Sequence, residues 1–137
     1  MKGIKAYQKV QVMTSDRVRL VVMLYEGVIK FNRLAALAIK DNDIEKRSEY
    51  INRSIAIISE LYNALDMQRG EEVAINLRDL YLHSLTRLAE ANNKNSIRII
   101  EGVTALFAEV KEGWDALVAS GAGAEKPSIE AGAGYGA

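Results

Sequence analysis

The chain has 137 residues, 18 basic and 18 acidic side chains, one histidine and no cysteine. This length suits one domain with a sizeable core, and the balanced charge argues against a nucleic-acid partner while leaving room for a local basic patch. The absence of cysteine excludes disulfide and thiolate chemistry.

The start of the chain, MKGIKAYQKVQV, lacks the apolar core of a signal peptide. The sequence contains no run of about 18 apolar residues, so no transmembrane helix is predicted. The single proline, Pro127, leaves residues 1–126 free to form long helices. We therefore expect a soluble, cytoplasmic, all-helical protein.

Four helical segments of similar length can be assigned in chain order. The first runs from about residue 16 to 40, the second from after Asn42 to about 66, the third from 71 to 92, and the fourth from 96 to 119. Thr14 or Ser15, Asn42, and Asn95 or Ser96 are the predicted N-caps, and a turn with positive φ is predicted at Gly70. Equal lengths and short connections favour an antiparallel up-and-down four-helix bundle over residues 15–119.

The two ends of the chain have a different composition from the bundle. Residues 1–14 place Ile4, Tyr7, Val10 and Val12 among polar residues, which predicts an N-terminal arm or a short extra helix. Residues 120–137 are rich in glycine and alanine and predict a flexible tail, because such a segment buries too little surface to offset its ordering entropy.

The first helix contains VVMLYEGVIKF, residues 21–31, and is apolar around most of its circumference. Its polar residues fall in a narrow stripe, formed by Arg19, Glu26, Lys30, Arg33 and Lys40. A helix with so little polar surface is typically buried, so this helix is predicted to be central, with the other three around it. The segment predicted to be buried consists of Met23, Leu24, Tyr25 and Gly27, and Gly27 predicts a close helix crossing.

The other three helices carry a core stripe and, beside it, a second apolar stripe. The predicted core residues are Ile44, Ile51, Ile55, Ile58, Tyr62 and Leu65, then Val73, Leu77, Leu80, Tyr81, Leu88 and Ala91, then Ile100, Val103, Phe107, Val110, Trp114 and Leu117. The second stripe holds the predicted partner-binding residues Tyr50, Ile57, Leu61, Ile75, Leu82, Ile99 and Leu106. A splayed bundle, self-association or an amphipathic partner helix would each cover this surplus.

The sequence carries little that would support catalysis. The single histidine, His83, is followed by HSLTRLAE without the Lys-Gly pair of histidine phosphotransfer domains. One histidine without cysteine disfavours zinc, and the Glu-x-x-His pairs of di-iron bundles are missing. We therefore expect no enzyme activity, no cofactor and no metal site.

Four motifs follow one another along the chain, namely AYQKVQVMTSDRVRLVVMLYEGVI (6–29), NALDMQRGEEVAINLRDLY (63–81), RLAEAN (87–92) and WDAL (114–117). In this order they resemble the FliS family of flagellar export chaperones, which guard flagellin. The first motif is similar to the family's opening, with Glu26 where the family has aspartate and Arg17 where it tends to have proline. The matches keep their order and spacing over residues 6–118.

This resemblance implies a helical bundle that binds the C-terminal segment of flagellin, prevents premature polymerisation and delivers it to the type III export gate. We expect the arm, through Tyr7 and Val10, to cover a groove in the free protein, and the resemblance implies that the arm also contacts the export gate. The alternative is that Tyr7 only holds the arm against the bundle. The free protein is expected to be a monomer or weak dimer. Two alternatives remain open, a structural bundle that self-associates and a regulator that binds other flagellar proteins.

Overall fold

The computed structural model describes residues 14–121, which form four α-helices and no strand. These are α1 (Ser15–Lys40), α2 (Ile44–Asn63), α3 (Met67–Lys94) and α4 (Ile97–Ser120). Connections of two or three residues make successive helices antiparallel. The predicted all-helical bundle is therefore confirmed, whereas the predictions for Tyr7, Val10 and residues 122–137 lie outside the described residues.

Each helix begins at a side chain that accepts a backbone N–H, the usual way to satisfy a first turn. Thr14 accepts from the backbone N–H of Arg17, and Ser96 accepts from that of Ile99, as two of the predicted caps required. The cap of α2 is Asp43 rather than Asn42. Asn42 instead takes a left-handed φ of 58°, a conformation that asparagine tolerates in a tight turn.

The first turn of α3 differs from the prediction that Gly70 takes a positive φ. The N–H of Gly70 donates to the carbonyl of Asp66, and the positive φ, 47°, falls on Glu71, where α3 is kinked. Gly70 is suited to its position for a steric reason, since a Cβ there would lie 2.7 Å from the Cβ of Ala74. The glycine thus allows a close approach between backbone and side chain.

The helices form a ring in which α1 and α3 lie on one diagonal. Helix α1 packs against α2 and α4, and α3 packs against the same two helices. The side chains of Tyr25 and Tyr81 reach across the core and join the diagonal pair. The prediction that α1 is surrounded by the other three helices is therefore wrong.

The outer face of α1 is open to solvent, and this corrects part of the predicted buried segment. Tyr25 is fully buried and Leu24 and Gly27 are partly buried, but Met23 is 63% exposed. Leu20 and Leu37 are exposed as well, at 51% and 54%. A helix in a four-membered ring keeps one side in water, so the apolar residues next to its narrow polar stripe come to lie outside.

Two further core predictions can be compared with the structure. The close crossing at Gly27 is confirmed, because a Cβ at this position would lie 2.9 Å from Cδ1 of Ile57 in α2. Ile44, predicted to face the core, is exposed as the first residue of α2. The remaining predicted core residues of the last three helices are buried or half-buried.

The core is built around four aromatic rings from three helices. Tyr25 lies against Phe107 and Trp114 of α4, with ring centroids 5.0 and 6.3 Å apart, and Tyr81 stacks on Phe107 at 6.1 Å. The hydroxyl groups of Tyr25 and Tyr81 share a hydrogen bond of 2.6 Å. This bond satisfies two polar groups that would otherwise be costly to bury.

The buried tyrosine pair predicts a loss of stability at alkaline pH. Burial raises the pKa of both hydroxyls above the ordinary value of 10.0, and at Tyr81 a charge on Tyr25 raises it further. A folded-state pKa above the unfolded one gives a contribution that is complete below pH 10 and declines as the pH rises further. We expect Tyr25 and Tyr81 to ionise only as the helices unfold, measured as tyrosinate absorbance beside circular dichroism. Ionisation of every tyrosine near pH 10 with unchanged helix content would contradict this.

Two glycine substitutions are expected to shift stability in opposite directions. Gly113 is exposed inside α4, and a Cβ there meets nothing within 4 Å, so Gly113→Ala should raise the free energy of unfolding by about 0.5–1 kcal/mol. Gly70→Ala should lower it, because the new methyl group collides with Ala74. Urea unfolding of both variants measures the two shifts. A rise for Gly70→Ala would show that the packing at Gly70 is looser than described, and a fall for Gly113→Ala would contradict the open space at Gly113.

Candidate functional site

Helix α3 exposes two large apolar side chains on the side that faces away from the core. Ile75 is 42% exposed and Leu82 is 44% exposed. A separation of seven residues places both on one face of a helix. Because only α2 and α4 cover α3, this face has no helix of the described chain upon it.

Helix α4 carries two more of the predicted partner-binding side chains, and both are half-buried. Ile99 packs against the core cluster from its edge, and Leu106 is partly exposed. Tyr81 stacks on Phe107, so antiparallel packing places Leu82 and Leu106 at about the same level along the bundle axis. We call Ile75, Leu82, Ile99 and Leu106 the α3–α4 groove.

Two other predicted partner-binding residues lie at the contact between α1 and α2. Tyr50 stacks on Phe31 of α1, with ring centroids 6.2 Å apart, and Ile57 packs beside Gly27. Both side chains are half-buried. The sequence grouped them with Leu82 because each lies on the second apolar stripe, but the structure assigns them to a separate surface, the α1–α2 contact.

The ring pair at the α1–α2 contact is framed by cations. The ammonium of Lys30 lies 5.4 Å from the centre of the Phe31 ring, and the guanidinium of Arg53 lies 5.7 Å from it. The ammonium of Lys46 lies 5.9 Å from the ring of Tyr50. Such contacts hold flexible charged side chains near the rings, so this surface combines aromatic and positive character.

Leu61 does not line any surface, contrary to the prediction. It is 5% exposed and belongs to the buried core cluster. Ile57 follows Tyr50 by seven residues and Leu61 follows Ile57 by four, so the sequence placed Leu61 on the second stripe of α2. Near the end of α2, however, this stripe faces the core. Leu61 therefore supports the fold and is removed from the candidate site.

Polar contacts fix α3 in place beside the groove. Arg47 at the start of α2 donates to the side-chain oxygens of Asn92 and Asn95 at the end of α3, at 2.8 and 2.7 Å. On α3 itself, Glu90 accepts from Lys94 and Arg87. These hydrogen bonds hold the pKa of Glu90 below its usual value, and the bond from Lys94 has the larger effect. Charged side chains also lie beside the middle of the apolar face, where Arg78 pairs with Asp79 at 3.2 Å.

Nothing in the described part of the chain forms a reactive centre. His83 is exposed on α3, and no group of three His, Asp or Glu side chains in residues 14–121 is arranged to hold a metal ion. No helix in that range is long and apolar enough to cross a membrane. The notable features of the molecule are therefore its surfaces.

The sequence analysis missed three exposed apolar residues of α1, namely Leu20, Met23 and Leu37. A signal for their exposure was available. Met23, Lys30 and Leu37 follow one another at intervals of seven, so a residue as polar as Lys30 lies on the same line of the helix. Phe31, which stacks on Tyr50, was also not expected to share a surface with it.

Comparison with known proteins identifies relatives along most of the chain. A family model described as "Flagellar protein FliS" matches residues 1–121. The chain is 38% identical over 121 residues to the flagellar secretion chaperone FliSB of Pseudomonas aeruginosa, covering 85% of this chain and 96% of the relative. It is 37% identical to the flagellar secretion chaperone FliS of Campylobacter jejuni, covering 80% and 85% of the two chains. The corresponding protein of Salmonella typhimurium is 34% identical, with coverage of 82% and 87%.

Proposed function

The chain belongs to the FliS family of flagellar secretion chaperones, which are not enzymes, and we propose that it binds the C-terminal segment of flagellin. Binding takes place in the cytoplasm, prevents premature polymerisation of the subunit and delivers it to the flagellar type III export apparatus. Flagellin is proposed as the client on the basis of the family resemblance. The support from this chain itself is the exposed apolar face of α3.

The observation that carries the proposal is the exposed apolar face of α3. Ile75 and Leu82 are exposed on the face of α3 that neither α2 nor α4 covers. Leu106 of α4 lies at the level of Leu82 along the bundle axis. A partner helix with apolar residues at intervals of three, four and seven fits such a groove. The C-terminal segment of flagellin would supply that pattern through the apolar residues with which it builds the filament core.

The chemistry of the groove favours a client that folds as it binds. A segment that is disordered before assembly pays an ordering entropy, which burial of apolar area then offsets. The α3 face offers apolar contacts at Ile75 and Leu82, with charged pairs beside them at Arg78–Asp79 and at Arg87–Glu90–Lys94. Affinity therefore arises from buried area, and the charges set direction and register.

A long client segment would also reach the α1–α2 contact. Tyr50 and Ile57 are half-buried there, beside the cation-framed ring of Phe31. A segment that crosses from one surface to the other would occupy all of the predicted partner-binding residues except Leu61. Tyr7 and Val10 would cover a groove before the client arrives and then contact the export gate.

Self-association is the competing explanation for the exposed apolar face. A dimer formed through α3 would bury Ile75 and Leu82 equally well. Light scattering on the free protein, with and without a synthetic peptide of the cognate flagellin C-terminus, separates the two. A client-binding protein is a monomer or weak dimer that forms a defined complex with the peptide. A stable oligomer that ignores the peptide would overturn the proposal.

A further inference from the structure

The outer face of α1 presents apolar side chains that neither the core nor the α3–α4 groove uses. Leu20, Met23 and Leu37 are all more than half exposed. Met23, Lys30 and Leu37 lie along one line of the helix at intervals of seven, and Leu20 lies beside that line. We call these four residues the α1 ridge.

Positive charge runs beside the ridge. Arg19, Arg33 and Lys40 are exposed on α1 and form no ion pair within the described residues. Lys30, within the ridge, lies over the ring of Phe31 and forms no ion pair with another of residues 14–121. Four cations therefore lie on this face of one helix.

Few carboxylates oppose these cations. On α1, the exposed acids are Asp16 in the first turn and Glu26, whose carboxylate lies 3.7 Å from Lys111 of α4. From α4, Asp115 is bonded to the same lysine at 2.8 Å. From α2, Arg53 lies near Phe31 but is paired with Glu49 at 3.1 Å, so this pair adds no net charge to the face. The face is therefore apolar and positive, although the whole chain has no net charge.

This charge decides between the candidate occupants. A second copy of the chain docked ridge to ridge would bring two positive faces together, and like charges at an interface disfavour association. An anionic partner gains attraction along the same face, and apolar residues on it would cover Leu20, Met23 and Leu37.

The position of the ridge also separates it from the proposed client site. Helices α1 and α3 lie on a diagonal of the ring, so the ridge faces away from Ile75 and Leu82. A protein bound on the ridge therefore leaves the α3–α4 groove free. Lys30 also borders the α1–α2 contact, so competition is expected only with a client long enough to reach that contact. The ridge spans residues 20–37, about 26 Å at a rise of 1.5 Å per residue, which is the length of a short helix.

From these features we propose that the α1 ridge is a second docking surface, and that it binds an acidic amphipathic helix of another protein. The partner helix carries apolar residues at intervals of three and four and carboxylates along one edge. Apolar contacts fall on Leu20, Met23 and Leu37, and the carboxylates meet Arg19, Lys30, Arg33 and Lys40. This inference does not rest on the identity of the client.

The test uses the full chain labelled with nitrogen-15 and a synthetic helical peptide of about 18 residues, a length set by the helical rise. The peptide has leucine on one face and glutamate along its edges, and a second peptide has lysine in place of glutamate. We expect the acidic peptide to shift backbone resonances on the outer face of α1. The charge-reversed peptide should bind at least about tenfold more weakly, since it meets like charge.

Variants assign the binding to the ridge. Met23→Ser with Leu37→Ser, and separately Lys30→Glu with Arg33→Glu, should each weaken the acidic peptide at least about tenfold, while Leu82→Ser on α3 leaves its affinity unchanged. Circular dichroism confirms that each variant is folded. Resonance shifts on α3 instead of α1, equal binding of both peptides, or no binding at millimolar peptide overturns the proposal. If neither peptide binds but the protein sediments with anionic lipid vesicles, the ridge is assigned to a membrane surface instead.

Discussion

Leu82→Asp is expected to weaken the binding of a flagellin C-terminal peptide by about 100-fold while leaving the protein folded. Leu82 is 44% exposed, so the aspartate keeps access to water in the free protein. In the complex the same carboxylate would be buried against apolar side chains without a partner, which costs several kcal/mol. Loss of a central apolar anchor has an effect of this size in many interfaces.

The matched control for this prediction is His83→Asp. His83 is the next residue of α3 and is exposed, but it does not belong to the groove. Both variants introduce the same carboxylate on the same turn of helix, so changes in net charge and helix propensity are nearly equal. Isothermal titration calorimetry measures both affinities. If Leu82→Asp binds as tightly as His83→Asp, the α3–α4 groove is not the client site.

Leu61→Asp is expected to have a different effect, the loss of stability. Leu61 is 5% exposed inside the core, so a carboxylate there would be buried without a partner and leave packing unfilled. We expect the free energy of unfolding to fall by at least about 3 kcal/mol, a large fraction of what a domain of this size has. Urea unfolding followed by circular dichroism measures it.

Ala56→Asp is the control, since Ala56 is exposed in the same helix. A surface substitution of this kind shifts stability by about 0.5 kcal/mol or less. If Leu61→Asp unfolds at the same urea concentration as Ala56→Asp, then Leu61 is not a core residue. Its place on the second apolar stripe of α2 would then make it a groove residue again.

Much of the fold could be predicted from the sequence, because local chemistry determines where each helix begins and ends. Thr14 and Ser96 cap helices as their side chains predict, and four segments of similar length fold back on one another. The caps depend on neighbours in sequence. The close crossing at Gly27 was also predicted, but Gly113 in α4 has no neighbour within 4 Å, so a glycine inside a helix does not by itself identify a crossing.

The arrangement of the helices was harder to predict, because it depends on which side of each helix faces a neighbour. The narrow polar stripe of α1 indicated a central helix, whereas a ring of four exposes one side of each. Asn32 is the opposite case, a polar residue that the structure buries. It is polar, yet it is fully buried in α1, and no partner for its amide lies within residues 14–121. Single-helix periodicity contains no information on such tertiary choices.

The candidate site was predicted in part, for the same reason. The interval of seven between Ile75 and Leu82 identified an outward apolar face that the structure contains. The same reasoning placed Leu61 on that surface and grouped Tyr50 with Leu82, although Tyr50 stacks on Phe31 at another contact. Helical spacing identifies residues on one stripe, but only the packing of helices shows which stripes meet.

Calorimetric titration of the purified chain with the last 40 or so residues of its cognate flagellin, a length that would span several helical grooves, tests the central claim most directly. We expect saturable binding with a large negative heat-capacity change, since apolar burial and coupled folding both contribute to it. In Leu82→Asp the affinity should fall, while the heat-capacity change at saturation should fall only by the share of apolar area that Leu82 buries. Absence of heat and of any complex at high concentration would contradict the account, and the exposed face of α3 would then have to serve the protein itself.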